Sequence, residues 1–258
     1  MFQAERQKRI CDIINEKKSV KVSELSQLLG TSEVTVRKDL DELSARKMIV
    51  RTHGGAVAMY SVAEAVSVSE LIRSNKNIEA KRKIAELAYD NIRDNETIFL
   101  DGSSTVHELA NLIAKGGIKN LQIITTSLLN VAALGEKENV KVIMLAGEVN
   151  YRHQNVLSHL TVSLINSMRV DKCFIGINGI DAEFGFSSPD FLESEIKASM
   201  LHSSMKSFIL ADDSKFGKTF LAKVDAECDC IITSKRIHGF DYDKLDTEVM
   251  FADEIEKF

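Results

Sequence analysis

No apolar run in the 258 residues approaches the roughly 20 that a membrane-spanning helix requires, which excludes a helical membrane protein. The opening MFQAERQKRI carries charge from the fifth position onward and does not read as a secretory leader. Cysteine is scarce. The four present, Cys11, Cys173, Cys228 and Cys230, are too few and too scattered for a disulfide framework at this length, so reduced thiols and a cytoplasmic location are expected. Cys228 and Cys230 form a lone CxC without a second cysteine pair or a nearby HxH, directly before the apolar IIT, and read as strand packing rather than metal ligation. Neither a metal nor a cofactor is expected. No internal repeat is legible, and a 44% hydrophobic composition speaks against disorder; at this length it fits one small module and one larger core.

A large excess of positive charge is also missing, since the net charge is −5. Its partition is more informative than its sum. Residues 1–60 hold 11 Lys and Arg against 8 Asp and Glu, a surplus of three positive charges, which leaves −8 for the remainder. A basic head on an acidic body suits a chain that presents one end to phosphates.

What is present in the head is helical periodicity. Ile10, Ile13 and Ile14 form an apolar stripe flanked by Arg6 and Lys17, predicting a helix over residues 3–17. Ser23 is placed as the N-cap of a short second helix carrying Leu25, Leu28 and Leu29 and stopping at Gly30. Thr31 or Ser32 caps a third, in which Val36, Leu40 and Leu43 share one buried face. Val34, Thr35, Arg37 and Lys38 fall away from that stripe, in the half of a recognition helix that meets base edges in the major groove. MIVRTHGGAVA then supplies two apolar runs around His53, Gly54 and Gly55, a hairpin with a basic rim at Arg51.

SEVTVRKDLDEL followed by RTHGGA resembles the DNA-binding signature of the DeoR family of bacterial regulators, with Ser32, Thr35, Val36, Arg37, Lys38, Asp39 and Leu40 in the motif places. The resemblance implies a winged helix-turn-helix domain over residues 1–58 whose partner is double-stranded operator DNA. Ser32, Thr35, Val36, Arg37, Lys38, Arg51 and His53 are its expected DNA-binding residues.

Residues 59–77 are polar, serine-rich and weakly periodic, as suits a linker, and residues 78–258 are expected to form the second domain. An amphipathic face of Ile84, Leu87, Ala88 and Ile92 opens it. Strand-length apolar runs then alternate with helical stretches, as in TIFLD, TVHELANLIA, LQIIT and SLLNVAALGE, which predicts a doubly wound, mainly parallel α/β sheet. Ligands bind such sheets beyond the C-terminal strand ends, so DGSST (101–105), TTS (125–127), GINGI (176–180) and ADDSKFGK (211–218) are the loops of interest. A helix start with hydroxyls suits an anion, and Lys215 or Lys218 supplies a cation. Each loop taken singly also reads as ordinary helix capping.

The body resembles the family's effector domain, itself similar to ribose-5-phosphate isomerase and glucosamine-6-phosphate deaminase, through DxG(S/T)T, TNS-like, ExK and SKFG motifs. Asp101, Ser104, Thr105, Thr125, Thr126, Ser127, Glu195, Lys197, Ser214, Lys215, Phe216 and Gly217 match. The resemblance implies a homo-oligomeric repressor of a carbohydrate operon controlled by a phosphorylated sugar. Ser103, Ser104, Thr105 and Lys215 would hold the phosphate, and Asp101, Thr126, Asn178 and Glu195 the sugar. Three places depart from the family: Ser103 stands for its loop glycine, Glu148 follows Gly147, and Ser234 follows Thr233. Arg152, His153 and His159 face either ligand or solvent. Two other readings stay open: a sugar-phosphate isomerase-like enzyme using Asp101, Glu195 and Lys197 as acid-base groups, and a scaffold whose body only oligomerises.

Overall fold

The computed structural model describes residues 3–17, 19–46, 48–52, 54–58, 76–135, 137–151 and 153–254. The chain divides into two compact units, Met1–Ala65 and Val66–Phe258. Most of the expected linker, together with His53 and Arg152, lies outside the described residues.

The first unit holds α1 (Gln3–Lys17), β1 (Ser19–Lys21), α2 (Val22–Leu29), α3 (Glu33–Ala45), β2 (Ile49–Thr52) and β3 (Gly55–Ala58). Ile10 and Ile14 of α1, Leu25 of α2, and Val36, Leu40 and Leu43 of α3 converge on one core. Each such side chain, fully buried, contributes about 1.5–3 kcal/mol. Ser32 caps α3 by accepting from the Thr35 N–H at 3.2 Å. Lys21, not Ser23, is the N-cap residue of α2, and it makes no side-chain cap; the helix begins earlier than the serine suggested. The strands run β1-β3-β2, antiparallel throughout. Gly55 is required there, because a Cβ on it would lie 2.2 Å from the Val20 carbonyl oxygen across the β1–β3 pair.

One buried charge is built into this core. The Asp39 carboxylate, 1% exposed, accepts from the Arg6 guanidinium through both oxygens and from the Gln7 amide at 3.3 Å. The pair fastens α1 to α3, and that hydrogen bonding raises the Arg6 pKa against the opposing effect of desolvation.

The second unit opens with α4 (Ile78–Tyr89), then β4 (Thr97–Leu100), α5 (Ser104–Lys115), β5 (Leu121–Thr125), α6 (Leu128–Leu134) and β6 (Val140–Met144). A hairpin of β7 (Val149–Asn150) and β8 (Asn155–Val156) precedes α7 (His159–Asn166) and β9 (Val170–Gly176). There follow β10 (Gly179–Asp181), β11 (Gly185–Ser188), α8 (Phe191–His202), β12 (Ser204–Ala211), β13 (Ala222–Lys223), β14 (Cys230–Thr233) and β15 (Glu248–Phe251). Seven strands pair in the order β15-β14-β12-β9-β4-β5-β6, every neighbour parallel. Successive strand residues face opposite sides: Ile98 and Leu100 pack with α4 and α5, Phe99 with α7 and α8. The chain winds outward from β4 in one direction and from β9 in the other. The crevice between those two strand ends is the topological switch point, where ligands of doubly wound sheets bind.

Two short antiparallel assemblies, β10-β11-β13 and the β7–β8 hairpin, were not legible as strands. Runs of two to four residues are too short to display a period of two.

Candidate functional site

On α3 the exposed positions cluster in the first half, because Val36, Leu40 and Leu43 commit the opposite side to the core. Val34 is 74% exposed and presents an apolar surface of the kind that meets a thymine methyl. Arg37 is exposed and held by Glu33 at 2.8 Å, a surface pair worth only about 0.3–0.5 kcal/mol and so readily exchanged for a phosphate or a base. Lys38 is exposed beside it. Ser32 and Thr35 share a hydroxyl hydrogen bond of 2.9 Å at the helix start. Arg51 is half-buried; it reaches Asp41 at 2.9 Å and donates to the Gly55 carbonyl at 3.0 Å, so it braces the wing against α3. Val36 is a correction. It is fully buried, and a side chain committed to the core cannot also touch DNA.

In the second unit a cleft of about 250 Å³ opens at the β4–β9–β12 strand ends. Four lysines, Lys76, Lys81, Lys197 and Lys215, line it against two acids, Glu193 and Asp212. Ser103, Ser104 and Thr105 form another wall at the start of α5, where the first-turn N–H groups have no partner within the helix and the dipole is positive. The Ser103 hydroxyl itself accepts from the Val106 N–H at 3.3 Å as the N-cap. Gly176 lets this loop close on β9, for a Cβ there would lie 2.3 Å from the Ser103 hydroxyl.

Asp101 stands behind the cleft. Its carboxylate accepts from the Lys197 ammonium at 2.6 Å, the Gly176 N–H at 3.0 Å and the Ser103 N–H at 2.9 Å, so it positions the loop and the lysine and has little left for a sugar hydroxyl. Lys197, 6% exposed, also meets Glu193 at 3.3 Å. Burial works to discharge that ammonium, but the two carboxylates outweigh it and hold the pKa above the ordinary lysine value.

Asp212 organises the opposite wall. Its carboxylate accepts from the Ser214 N–H at 3.0 Å and the Asn77 amide at 3.1 Å, fixing the short turn Asp213–Lys215 that carries Lys215. Desolvation works to raise its pKa, but Ser214, Lys215 and Asn77 together bring it below the usual carboxylate value. Asn178 lines the cleft, its amide oxygen 3.4 Å from the Ser188 hydroxyl.

Two expected sugar contacts stand elsewhere. Glu195 is exposed and faces His159 at 3.5 Å, outside the cleft. At 100° per residue it lies far around α8 from Lys197, whereas Glu193, four residues before the lysine, shares its face. Thr126 is buried, with its carbonyl accepting from the Val156 N–H at 2.8 Å, and is not among the lining residues. Lys81, Lys76, Glu193 and Asp212 were missed. For Lys81 a signal existed: it sits three residues before Ile84 and seven before Ala88, a lysine on the buried face of an amphipathic helix.

Residues 6–62 match the family model of the DeoR-like helix-turn-helix domain, and residues 76–235 that of the DeoR C terminal sensor domain. The HTH-type transcriptional regulator GolR of Listeria innocua is 32% identical over 95% of this chain and 96% of its own length. The glycerol-3-phosphate regulon repressor of Escherichia coli is 28% identical over 87% of each chain. Among solved structures, ribose 5-phosphate isomerase A from Neisseria gonorrhoeae aligns with 53% of this chain and 52% of its own at 19% identity, with a TM-score of 0.39.

Proposed function

Because the chain belongs to the DeoR family of transcriptional regulators, we propose that its winged head reads an operator through Arg37 and Lys38 and that a phosphorylated sugar in the lysine-lined cleft relieves repression. The chain is a DNA-binding transcription regulator. The observation that carries the effector reading is the cleft itself: four lysines and a helix start converge on about 250 Å³ at the switch point, a volume suited to one small anionic metabolite. The phosphate rests against Ser103, Ser104 and Thr105, with Lys215 and Lys81 as its cations, and Asn178 reads the sugar. A relative named as a glycerol-3-phosphate regulon repressor supports both the sign of control and the class of ligand.

In this reading the protein is not an enzyme, since Asp101 is engaged by Lys197 and two backbone N–H groups and Glu195 faces away. It acts in the cytoplasm; no helix among the described residues is long and apolar enough to cross a membrane. It binds DNA as a homo-oligomer, because one winged helix makes few phosphate contacts and paired half-sites multiply them.

A thermal-shift screen across phosphorylated metabolites, followed by operator binding with and without the hit, tests the whole. Stabilisation by phosphorylated but not free sugars, with loss of operator affinity and no product formed, is expected. Equal stabilisation by free sugars overturns the phosphate site, and turnover of a pentose or hexose phosphate overturns the non-enzymatic reading. Sedimentation of the full chain as a monomer at operator-binding concentrations overturns the oligomer.

A further inference from the structure

With Glu195 outside the cleft, Thr126 buried and Asp101 occupied, Asn178 is left as the lining member of the sugar-reading set expected from sequence. The geometry points to another: we propose that Asn155, on β8 of the hairpin, is a specificity-determining residue that reads a hydroxyl of the phosphorylated ligand. The proposal rests on the effector reading of the cleft given above.

Asn155 stands just outside the residues that line the cleft and lies broadside across Gly102, the residue that leads into Ser103 and the anion-binding wall. An ideal Cβ on Gly102 would fall 1.8 Å from the Asn155 Oδ1 and 2.3 Å from its Nδ2, so the amide occupies the place of the missing side chain. The hairpin is pinned on either side of this residue. The Leu128 N–H donates to the Gln154 carbonyl at 2.9 Å, the Val156 N–H donates to the Thr126 carbonyl at 2.8 Å, and Asn155 itself bridges Ser127. The amide is therefore held against the loop by backbone on both flanks.

Yet its oxygen is buried without a hydrogen-bond partner. Buried acceptors in native proteins are nearly always satisfied, and an apolar side chain of similar size would fill the space above Gly102 without that cost. A ligand hydroxyl supplies the missing donor. Because both ends of the amide lie close to the Gly102 position, rotation about its last bond exchanges the acceptor and the NH2 group at that place.

The loop and the hairpin also match each other. Where the resembling motif has a variable residue followed by glycine, this chain has Gly102 followed by Ser103. Gly176 accommodates the Ser103 side chain and Asn155 fills the space left by Gly102, so the shifted glycine and the hairpin asparagine form one arrangement. The effect of Asn155 belongs to the sugar portion of the ligand, since it approaches the loop from the β5 side while Lys197 and Lys215 stand on the β9–β12 side.

Calorimetry on the full chain with inorganic phosphate, glycerol 3-phosphate, fructose 1-phosphate and glucose 6-phosphate tests this. Asn155→Ala is expected to bind inorganic phosphate as the wild type does and to lose about tenfold in affinity for the preferred phosphate ester. Gly102→Ala, which displaces the amide without removing it, is expected to show the same selective loss, and the double variant to be no worse than either single one. Should Gly102→Ala fail to fold, Asn155→Ala alone carries the test. Unchanged ester affinity in Asn155→Ala, or an equal loss for ester and inorganic phosphate, overturns the proposal. If in either case Lys215→Ala still weakens phosphate binding, the reading of the cleft stands and only the role of Asn155 is lost. If no phosphate compound binds the wild-type chain, the cleft reading fails and this one with it.

Discussion

Each unit buries a charged pair, and the two pairs serve different ends. In the head, a part-exposed Arg6 meets the buried Asp39, with Gln7 as a further donor, and the arrangement fastens one helix to another. In the body, Lys197 is held by Asp101 and Glu193 and is one of the residues that line the cleft. A pair that joins two helices acts through stability. One that lines a cleft fixes a charge where the proposed anion would sit, and its own partners keep it ionised.

That contrast is broken most severely at Asp39. Asp39→Ala leaves the part-exposed Arg6 guanidinium without its buried partner and should cost the head about 1.5–3 kcal/mol, weakening operator binding. Ligand-induced stabilisation of the body should persist, as differential scanning calorimetry with and without the effector would register. Lys197→Ala strips Asp101 of its cation in the same way, but the Gly176 and Ser103 N–H groups go on donating to that carboxylate, so the loss in stability should be smaller than at Asp39. The effector response should disappear while operator binding survives. An equal or larger destabilisation at Lys197 would mean that the two N–H groups do not sustain the Asp101 carboxylate without its cation.

Two further substitutions sharpen the comparison without threatening either core. Lys215→Ala should weaken the phosphorylated effector by one to two decades, corresponding to roughly 1.5–3 kcal/mol for a charge-assisted bond, and leave operator affinity unchanged. Arg37→Ala and Lys38→Ala should do the converse. Removing a hydrogen bond to a base edge costs about 1–3 kcal/mol and relaxes specificity, whereas removing a phosphate partner weakens all sequences and lowers the salt slope by about one unit. Titrations of operator and of a scrambled duplex at several salt concentrations separate the two, and wild-type binding by both variants would remove α3 from the interface.

The head was legible because its signals are local. The α3 stripe, the Ser32 cap and the two glycines of the wing each follow from neighbours within a few residues. The parallel sheet was legible too, since buried strands read as continuous apolar runs. The composition of the cleft was not. Its walls come from residues 76–81, 103–105, 176–178, 193–197 and 210–215, and sequence gives no distance between such segments. Helical phase could have replaced Glu195 by Glu193 and drawn attention to Lys81. Nothing local could show that Asp101 would be consumed by Lys197, whereas the α3 stripe already set Val36 on the buried face, against its place in the DNA-binding motif.

The smallest effect expected is a pH dependence confined to the body. Asp212 has its pKa lowered in the folded protein, so the folded state favours the ionised form more than the unfolded chain does. Its contribution to stability is therefore fully present above the unfolded aspartate value near 4 and is lost as the pH falls through the folded value. Lys197 has the opposite sign: its raised pKa makes a contribution that is present below the unfolded lysine value near 10.4 and is lost as the pH climbs through the folded one. Between pH 5 and 9 neither group should make stability depend on pH. Below pH 4, protonation of Asp212 weakens its hold on the Ser214 N–H and the Asn77 amide, and the turn carrying Lys215 loosens. The magnitude is modest because neutral donors supply much of that grip. Asp212→Asn retains an acceptor oxygen but cannot titrate, so urea midpoints of the effector-free body between pH 3 and 7 should fall less steeply at the acid end in the variant than in the wild type. Parallel acid limbs for the two proteins would show that the acid sensitivity of the body arises at other carboxylates and that Asp212 holds its turn equally well without its charge.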